Sequence, residues 1–373
     1  MKIVQILPEM NAGGVERGTL ELGSYLVRHG HQSIVISNGG RMVETLENAG
    51  SRHIAMPVHR KSIASLNQVL PLRKFLREEK PDILHLRSRV PAWLAWLAWR
   101  GLNPAERPRL VTTVHGFYSV NAYSAIMTRG ERVIAVSESV RHYILENYPK
   151  TPDAKISVVH RGVDEHHYHP GFKPSLDWMR TWWADMPQLK NRIPLLMPGR
   201  LTRWKGQQDF IEIIAALRNA GLPVHGIIVG DPHPKKQAFL LELQQLARTL
   251  GVSDSVTFLG HRNDMREIMA VSSIVYSLSR DPEAFGRVSL EALALGKPVI
   301  GYDHGGVSEQ LRAVFPQGCV PAGDTAAAID LTREILNGHH ESPAPITNFT
   351  LSRMLSSIET IYQELAGSKP SSH

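Results

Sequence analysis

Cysteine is almost absent from this chain of 373 residues, in which Cys319 is the only one. A single cysteine can form no internal disulfide bond, so packing alone must hold the fold, and the composition is typical of a reducing compartment. Because Gly318 and Val320 flank it, Cys319 is interpreted as a small core residue.

Long apolar runs are also missing. No uninterrupted apolar segment approaches the ~20 residues that a membrane-spanning helix needs. The run within Met1–Pro8 is too short for a secretory signal peptide and is interpreted as a first strand. We therefore expect a cytoplasmic protein, either free or bound to the inner face of the cytoplasmic membrane.

Acidic residues are fewer than basic ones, at 35 against 42, which gives a formal net charge of +7 and a pI near 9.5. This balance favours an acidic partner: nucleic acid, an anionic membrane surface or a phosphorylated substrate. Nucleic acid is the least favoured of these, because the basic residues are scattered and no recognisable nucleic-acid-binding module is present.

Short apolar runs alternate with amphipathic segments along most of the chain, which predicts parallel sheets covered on both faces by helices. The length favours two domains. The alternation lapses where histidines and prolines become frequent, between Val163 and Arg192. We predict an N-terminal domain over 1–165, a linker over 166–192, a C-terminal domain over 193–345 and a final helix over 346–366 that packs back on the first domain.

The predicted linker contains a histidine cluster, His166, His167 and His169. No cysteine lies beside it, and no carboxylate follows at the spacing typical of a metal site. The cluster is therefore interpreted as part of a solvated linker with a short helical insert near Trp178, and no metal site is predicted.

A glycine pair, Gly13-Gly14, follows the first predicted strand and precedes a helix. Glycine lets backbone approach a ligand closely at a helix N-terminus, where anions are stabilised. The pair is not the dinucleotide fingerprint G-x-G-x-x-G, which disfavours a nicotinamide cofactor. A simple tight turn explains the pair equally well.

The segment Arg280–Ile300 contains two carboxylates in different settings. Glu283 lies in a loop after an apolar strand, and Glu291 lies on the helix that follows. Backbone N–H groups near Gly286-Arg287 would face an anion at the start of that helix. One carboxylate at the loop and one on the helix would suit the two sets of hydroxyls of a sugar nucleotide.

Other candidates follow predicted strands. Arg200 and Lys205 lie in a loop where a diphosphate would bind, although a solvated basic loop is an alternative. His115 ends another strand and has either a structural role or a hydrogen bond to a sugar. Glu309 follows a second glycine pair, and a favourable interaction with the helix dipole explains it equally well.

Together these motifs resemble the retaining family 4 glycosyltransferases, in the order in which that family has them and over nearly the whole chain. The matching segments are Gly-Gly-Val-Glu-Arg at 13–17, His115-Gly116, Gly199-Arg200 with Lys205-Gly206, Glu283-Ala-Phe-Gly with Glu291-Ala, and Gly305-Gly306 with Glu309. The resemblance implies an α/β GT-B fold, with two Rossmann-like domains whose parallel sheets face a central cleft. It also implies a nucleotide-sugar donor held mainly by the second domain, and no metal or other cofactor.

The resemblance further implies roles for single residues. The donor diphosphate would be bound by Arg200 and Lys205, the ribose by Glu291, and the sugar by Glu283 with its neighbours. The pair Glu283 and Glu291 is not interpreted as a hydrolase acid and nucleophile, because the two match different parts of a donor. The predicted catalytic residues are His115, Arg200, Lys205 and Glu283; the donor-binding residues are Gly13, Gly14, Arg200, Lys205, Glu283, Phe285, Gly286, Arg287, Glu291 and Glu309.

Basic and aromatic residues lie close together in the first half. A helix near residues 63–79 carries Arg73, Lys74 and Arg77, and Arg89 precedes a tryptophan-rich helix. This combination suits the interface of an anionic bilayer, although a core-packed helix with a solvated face is an alternative.

We therefore predict a retaining transfer of a hexose-type sugar, from a UDP-sugar to a glycan or a lipid-linked glycan such as lipopolysaccharide core. Two alternatives remain open from the sequence. One is a nucleotide-sugar epimerase of the same fold, and the other is a non-catalytic protein that binds sugar nucleotides or polyanions.

Overall fold

The computed structural model describes residues 1–11, 13–232 and 237–367. The chain divides into two compact units. Unit 1 consists of Met1–His160 with the described residues from Ser352 onward, and unit 2 consists of Arg161–Leu351.

Unit 1 is a parallel sheet with helices packed on it; within the described residues its strand order is β3-β2-β1-β4-β5-β6-β7. Its strands are β1 (Lys2–Ile6), β2 (Gln32–Ser37), β3 (Arg52–Ala55), β4 (Ile83–Leu86), β5 (Arg109–Val114), β6 (Arg132–Ala135) and β7 (Ile156–Val158). Its helices are α1 (Gly14–Arg28), α2 (Val43–Asn48), α3 (Val69–Glu79), α4 (Arg89–Arg100) and α5 (Glu138–Asn147).

Unit 2 repeats this architecture, with the order β10-β9-β8-β11-β12-β13 among its described strands. The strands are β8 (Ile193–Pro198), β9 (Val224–Val229), β10 (Val256–Phe258), β11 (Ile274–Ser277), β12 (Val299–Tyr302) and β13 (Cys319–Val320). The helices are α6 (Leu176–Asp185), α7 (Gln207–Asn219), α8 (Ala238–Thr249), α9 (Met265–Val271), α10 (Arg287–Ala294), α11 (Gly305–Val314) and α12 (Thr325–Leu336), and α13 (Leu351–Gly367) then ends the described chain.

The central strands are buried on both faces and mostly apolar, since all four residues of β4 are buried, as are all six of β9. A strand covered by helices on both sides needs this composition, so the predicted α/β class with two Rossmann-like sheets is confirmed. Helix α5 has a side-chain cap at its N-terminus, because Ser137 Oγ accepts a hydrogen bond of 3.1 Å from the Val140 backbone N–H.

The segment predicted as a linker, residues 166–192, contributes buried side chains to unit 2. Trp182 on α6 is 3 % exposed and stacks on Trp178, with ring centres 5.1 Å apart. Trp178 Nε1 donates to Asp264 Oδ2 at 2.7 Å. The three histidines of this segment are exposed, and His167 Nδ1 lies 2.8 Å from Arg266 Nη1.

Helix α13 packs within unit 1. Tyr362 is fully buried, and its hydroxyl lies 2.6 Å from His85 Nδ1 on β4. Tyr25 Oη on α1 donates to Glu359 Oε2 at 2.7 Å. The last described helix therefore completes the core of unit 1.

A buried histidine makes the stability of unit 2 depend on pH. His225 on β9 is 1 % exposed, and burial together with the charge of Arg192 lowers its pKa from 6.5 to about 4. In the unfolded chain, His225 takes up a proton as the pH falls below 6.5. In the folded chain, the same imidazole stays neutral down to about pH 4. Stability therefore rises with pH across that window, and we expect the unfolding free energy at pH 5 to be about 2 kcal/mol lower than at pH 7.

Urea unfolding of the wild type and of His225→Gln at both pH values measures this effect. The fall in unfolding free energy from pH 7 to pH 5 should be smaller in His225→Gln than in the wild type. It should remain in His339→Gln, which changes an exposed histidine. Equal drops in the wild type and His225→Gln would contradict the assignment.

Candidate functional site

A cavity of about 810 Å³ opens beside the carboxyl end of β8 in unit 2. The strand order reverses between β8 and β11, and parallel sheets bind ligands outside the carboxyl ends of their strands at such a point. The lining residues are Pro198, Gly199, Arg200, Thr202, Trp204, Val229, Gly230, Asp231, Pro232, His261, Arg262, Met265, Met269, Val288 and Glu291.

Two of the predicted donor-binding residues, Arg200 and Glu291, line this cavity. Glu291 is 9 % exposed and lies on α10 among apolar neighbours that are buried. Arg200 is exposed on the loop after β8. The cavity therefore has a hydrogen-bond acceptor on one helix and an exposed cation on a loop, with apolar walls from Met265 and Met269.

The structure brings two predicted catalytic residues into direct contact. Lys205 Nζ lies 2.7 Å from Glu283 Oε1, and each side chain is 17 % exposed. Ser279 Oγ donates a hydrogen bond to the same carboxylate oxygen. The ammonium also lies 4.6 Å from the centre of the Trp204 ring. The loops after β8 and β11 thus hold a cation in place with a carboxylate and an aromatic ring.

The loop containing Glu283 is held on the start of α11. The Gly306 N–H donates to the Glu283 carbonyl at 2.8 Å. A Cβ at Gly305 would lie 2.5 Å from that carbonyl oxygen, and one at Gly306 would lie 2.4 Å from Phe285 Cα. Both positions need glycine so that the helix can approach the loop. Glu309, further along α11, is half-buried and is not among the cavity-lining residues.

The side chain of Phe285 lies in the core. Its ring is 4 % exposed and packs on Phe349, with ring centres 6.0 Å apart. Gln310 Nε2 donates to the carbonyls of Phe285 and Gly286. Gly286 has a φ of +84° and precedes α10, whose first residue is Arg287. Of this predicted group, the backbone at the start of α10 is therefore better placed for a ligand than the Phe285 ring.

A network that the sequence reasoning missed ties the two loops together. Asp209 on α7 is fully buried and accepts hydrogen bonds from Tyr302 Oη at 2.6 Å and from Arg280 Nε at 3.1 Å. The Arg280 backbone N–H donates to the Trp204 carbonyl at 2.6 Å. The hydrogen bond with Asp209 raises the pKa of Arg280. The helical period of α7 could have indicated that Asp209 is buried, since it places Asp209 on the same side of the helix as Ile213.

The remaining predicted residues lie in unit 1. His115 directly follows β5 and is half-buried, and its backbone N–H donates to Tyr118 Oη at 3.2 Å. Gly13 precedes α1 with a φ of +140°, where a Cβ would lie 2.5 Å from Glu16 Oε2. Gly14 is the exposed first residue of α1. Both glycines are thus at a helix N-terminus, as predicted.

Within the described residues, no group of three or more His, Cys, Asp or Glu side chains is arranged to hold a metal ion. None of the helices in this part of the chain has the length and apolarity needed to cross a membrane.

Family comparisons match both halves of the chain. Residues 12–167 match the family described as Glycosyltransferase Family 4, and residues 184–349 match Glycosyl transferases group 1. The chain is a family 4 glycosyltransferase. A solved glycosyltransferase from Rickettsia africae ESF-5 is similar at 29 % identity with a TM-score of 0.83, over 98 % of this chain and 99 % of that one. The predicted GT-B fold is confirmed by such structural neighbours.

Two other proteins are similar to this glycosyltransferase. The N-acetyl-alpha-D-glucosaminyl L-malate synthase of Bacillus anthracis is 26 % identical, over 96 % of this chain and 95 % of the relative. The Anabaena protein Alr3699/HepE, solved in complex with UDP and glucose, has a TM-score of 0.74 at 23 % identity and covers 99 % of both chains. At 23 % identity, the similarity to the Anabaena structure shows that the two proteins share a fold.

Proposed function

We propose that this glycosyltransferase transfers a hexose-type sugar from a UDP-sugar, with retention of configuration and without a metal ion. The main support for this proposal is the cavity at the end of β8, because the loop that contains Arg200 and Lys205 borders it. Positive groups at that position would bind the donor diphosphate and stabilise the charge that develops on the leaving UDP. The Anabaena neighbour, solved with UDP, supports the choice of nucleotide.

Glu291 and Glu283 would hold different parts of the donor. The buried Glu291 carboxylate lines the cavity, where it would accept hydrogen bonds from ribose hydroxyls. Glu283 holds Lys205 in place through their ion pair. The same ammonium would contact the donor diphosphate while Glu283 keeps its position, and the Glu283 loop, with Gly286 and Arg287 at the start of α10, would contact the sugar.

Retention would follow from attack on the same face from which UDP departs. Glu283 is occupied by Lys205 and Ser279, which does not suit a carboxylate that must act as a free nucleophile. The departing phosphate would instead take the proton of the acceptor hydroxyl. His115 follows β5, and Gly13 and Gly14 lie at the start of α1, so in unit 1 they would contact a ligand at the carboxyl edge of that sheet.

The acceptor would be a glycan or a lipid-linked glycan such as lipopolysaccharide core, bound by unit 1. The enzyme would then work in the cytoplasm, at the inner face of the membrane. The basic net charge of +7 supports an acceptor that carries or adjoins negative charge.

UDP release tests this proposal. The full-length protein is incubated with UDP-glucose, UDP-galactose or UDP-N-acetylglucosamine, with excess EDTA, and with or without a lipopolysaccharide-core acceptor. We expect acceptor-dependent UDP release that EDTA leaves unchanged, and a product whose anomeric configuration by NMR equals that of the donor. Loss of activity with EDTA would contradict metal independence.

Other outcomes of the same assay identify the alternatives. UDP release with an altered free sugar and no acceptor would indicate an epimerase, and binding without UDP release would indicate a non-catalytic protein. Transfer to L-malate, the acceptor in the name of the Bacillus relative, would replace the glycan as acceptor.

A further inference from the structure

One side of the helical segment after β3 exposes large apolar side chains. Ile63, Leu66 and Leu70 are 87 %, 49 % and 68 % exposed. Ile63 and Leu66 lie on a short 3-10 helix, Ile63–Gln68, and Leu70 lies on α3, which follows it directly. Because the three residues are spaced by three and four positions, they lie on one side of this helical segment. Buried Leu72 and Leu76 anchor the other side of α3. The exposed row therefore lies outside the core that fixes the helix.

The charged residues of the segment that carries this row are all basic. Residues 59–77 contain no aspartate or glutamate, and Arg60, Lys61 and Lys74 are exposed within them. Lys74 has one acidic neighbour, Glu78, at 3.8 Å, and both side chains are exposed to solvent that screens the pair. A row of apolar side chains flanked by cations is the pattern of a helix that lies in the interface of an anionic bilayer.

A cavity of about 410 Å³ adjoins the row and has the same character. Trp93 and Tyr123 form part of its wall, and Trp93 Nε1 donates to the Tyr123 carbonyl at 2.9 Å. Lys61 Nζ lies 4.5 Å from the centre of the Tyr123 ring. Aromatic rings with a polar edge beside lysine are enriched at the level of lipid headgroups. The cavity thus has room for a headgroup beside the apolar row.

We propose that this basic apolar face, defined by Arg60, Lys61, Ile63, Leu66 and Leu70, docks on an anionic lipid bilayer. The three apolar side chains enter the headgroup layer, and the cations pair with lipid phosphates. The face follows β3 at the carboxyl edge of the unit 1 sheet, the edge at which such sheets bind ligands. The inference rests on the proposed function in one respect: a lipid-linked acceptor would be presented at that surface.

Vesicle flotation of the full-length protein tests the proposal. The vesicles contain phosphatidylcholine alone or phosphatidylcholine with phosphatidylglycerol. We expect binding to the phosphatidylglycerol vesicles, weakening as the ionic strength rises from about 0.02 M to 0.15 M because salt screens the cations. The wild type floating with neither vesicle, or equally with both at every salt concentration, would overturn the proposal.

Matched variants locate the face. The triple variant Ile63→Ser, Leu66→Ser, Leu70→Ser and the double variant Arg60→Ser, Lys61→Ser should each lower the vesicle partition coefficient about tenfold or more. Leu176→Ser with Leu241→Ser changes two leucines of unit 2 that are 78 % and 62 % exposed, and it should bind like the wild type. Because all these side chains are exposed, unchanged thermal unfolding is expected of each variant. Wild-type binding by both face variants would overturn the location.

A water-soluble acceptor glycan separates this inference from the proposed function. UDP release with that acceptor should be the same in the face variants and the wild type. If the wild type releases UDP but binds no vesicles, the docking face is wrong and the proposed function stands. If it binds vesicles through this face but releases no UDP with any acceptor, the docking face stands and the proposed function is wrong.

Discussion

Replacing Lys205 by alanine should lower kcat by about 10²- to 10³-fold, while the protein remains folded. The ammonium lies 2.7 Å from Glu283 and beside the Trp204 ring, so its position is fixed before the donor arrives. A fixed positive charge stabilises the leaving diphosphate more than the bound donor, because negative charge grows on the bridging oxygen as the bond to the sugar breaks. The loss should therefore appear in kcat rather than in KM alone.

The control for this prediction lies two residues away on the same loop. Arg203 is also a cation, but its side chain is 67 % exposed and pairs with Glu242 at 2.7 Å. Arg203→Ala should leave kcat nearly unchanged, and initial-rate UDP release measures both variants. If Lys205→Ala and Arg203→Ala had the same kcat as the wild type, Lys205 would have no part in the departure of UDP.

The elements of the fold could be predicted closely because their signals are local. Helix α7 spans Gln207–Asn219, and the period of its buried apolar residues, such as Phe210, Ile213 and Ile214, is the local signal for a helix there. The βαβ unit around Arg280–Ile300 is also confirmed, since β11 and β12 pair in parallel. The two-residue strand β13, which contains Cys319, was missed because so short a segment shows no period. Cys319 is half-buried, and burial raises the pKa of its thiol to about 11.

The site was only partly predictable, because several of its contacts join distant parts of the chain. Charge and loop position made Lys205 and Glu283 candidates, but nothing local showed that they pair with each other. Phe285 adjoins Glu283 in the sequence, and only the packed structure shows its ring against Phe349. Asp209 and Tyr302 are separated by more than ninety residues, so their hydrogen bond exists only once the sheet has formed.

Gly206→Ala should destabilise unit 2 by about 3–5 kcal/mol and lower kcat about 10²-fold in the fraction that stays folded. Gly206 has a φ of +79°, which costs alanine roughly 1–2 kcal/mol by itself. A Cβ at this position would also lie 1.9 Å from the Leu278 carbonyl oxygen, so the loops after β8 and β11 must move apart. That movement displaces the adjacent Lys205 from Glu283, and a shift of about 1 Å is enough to impair catalysis strongly.

The other end of the same helix supplies a matched control. Gly221 follows α7 with a φ of +82°, but a Cβ there would meet nothing within 4 Å. Gly221→Ala should therefore show the backbone cost of about 1–2 kcal/mol and a normal kcat. Urea unfolding gives the two free energies, and UDP release gives the two rates. Because the backbone strain is the same at both ends, the difference between the variants measures how far catalysis depends on the contact between the two loops. Equal losses in Gly206→Ala and Gly221→Ala would show that it does not depend on that contact.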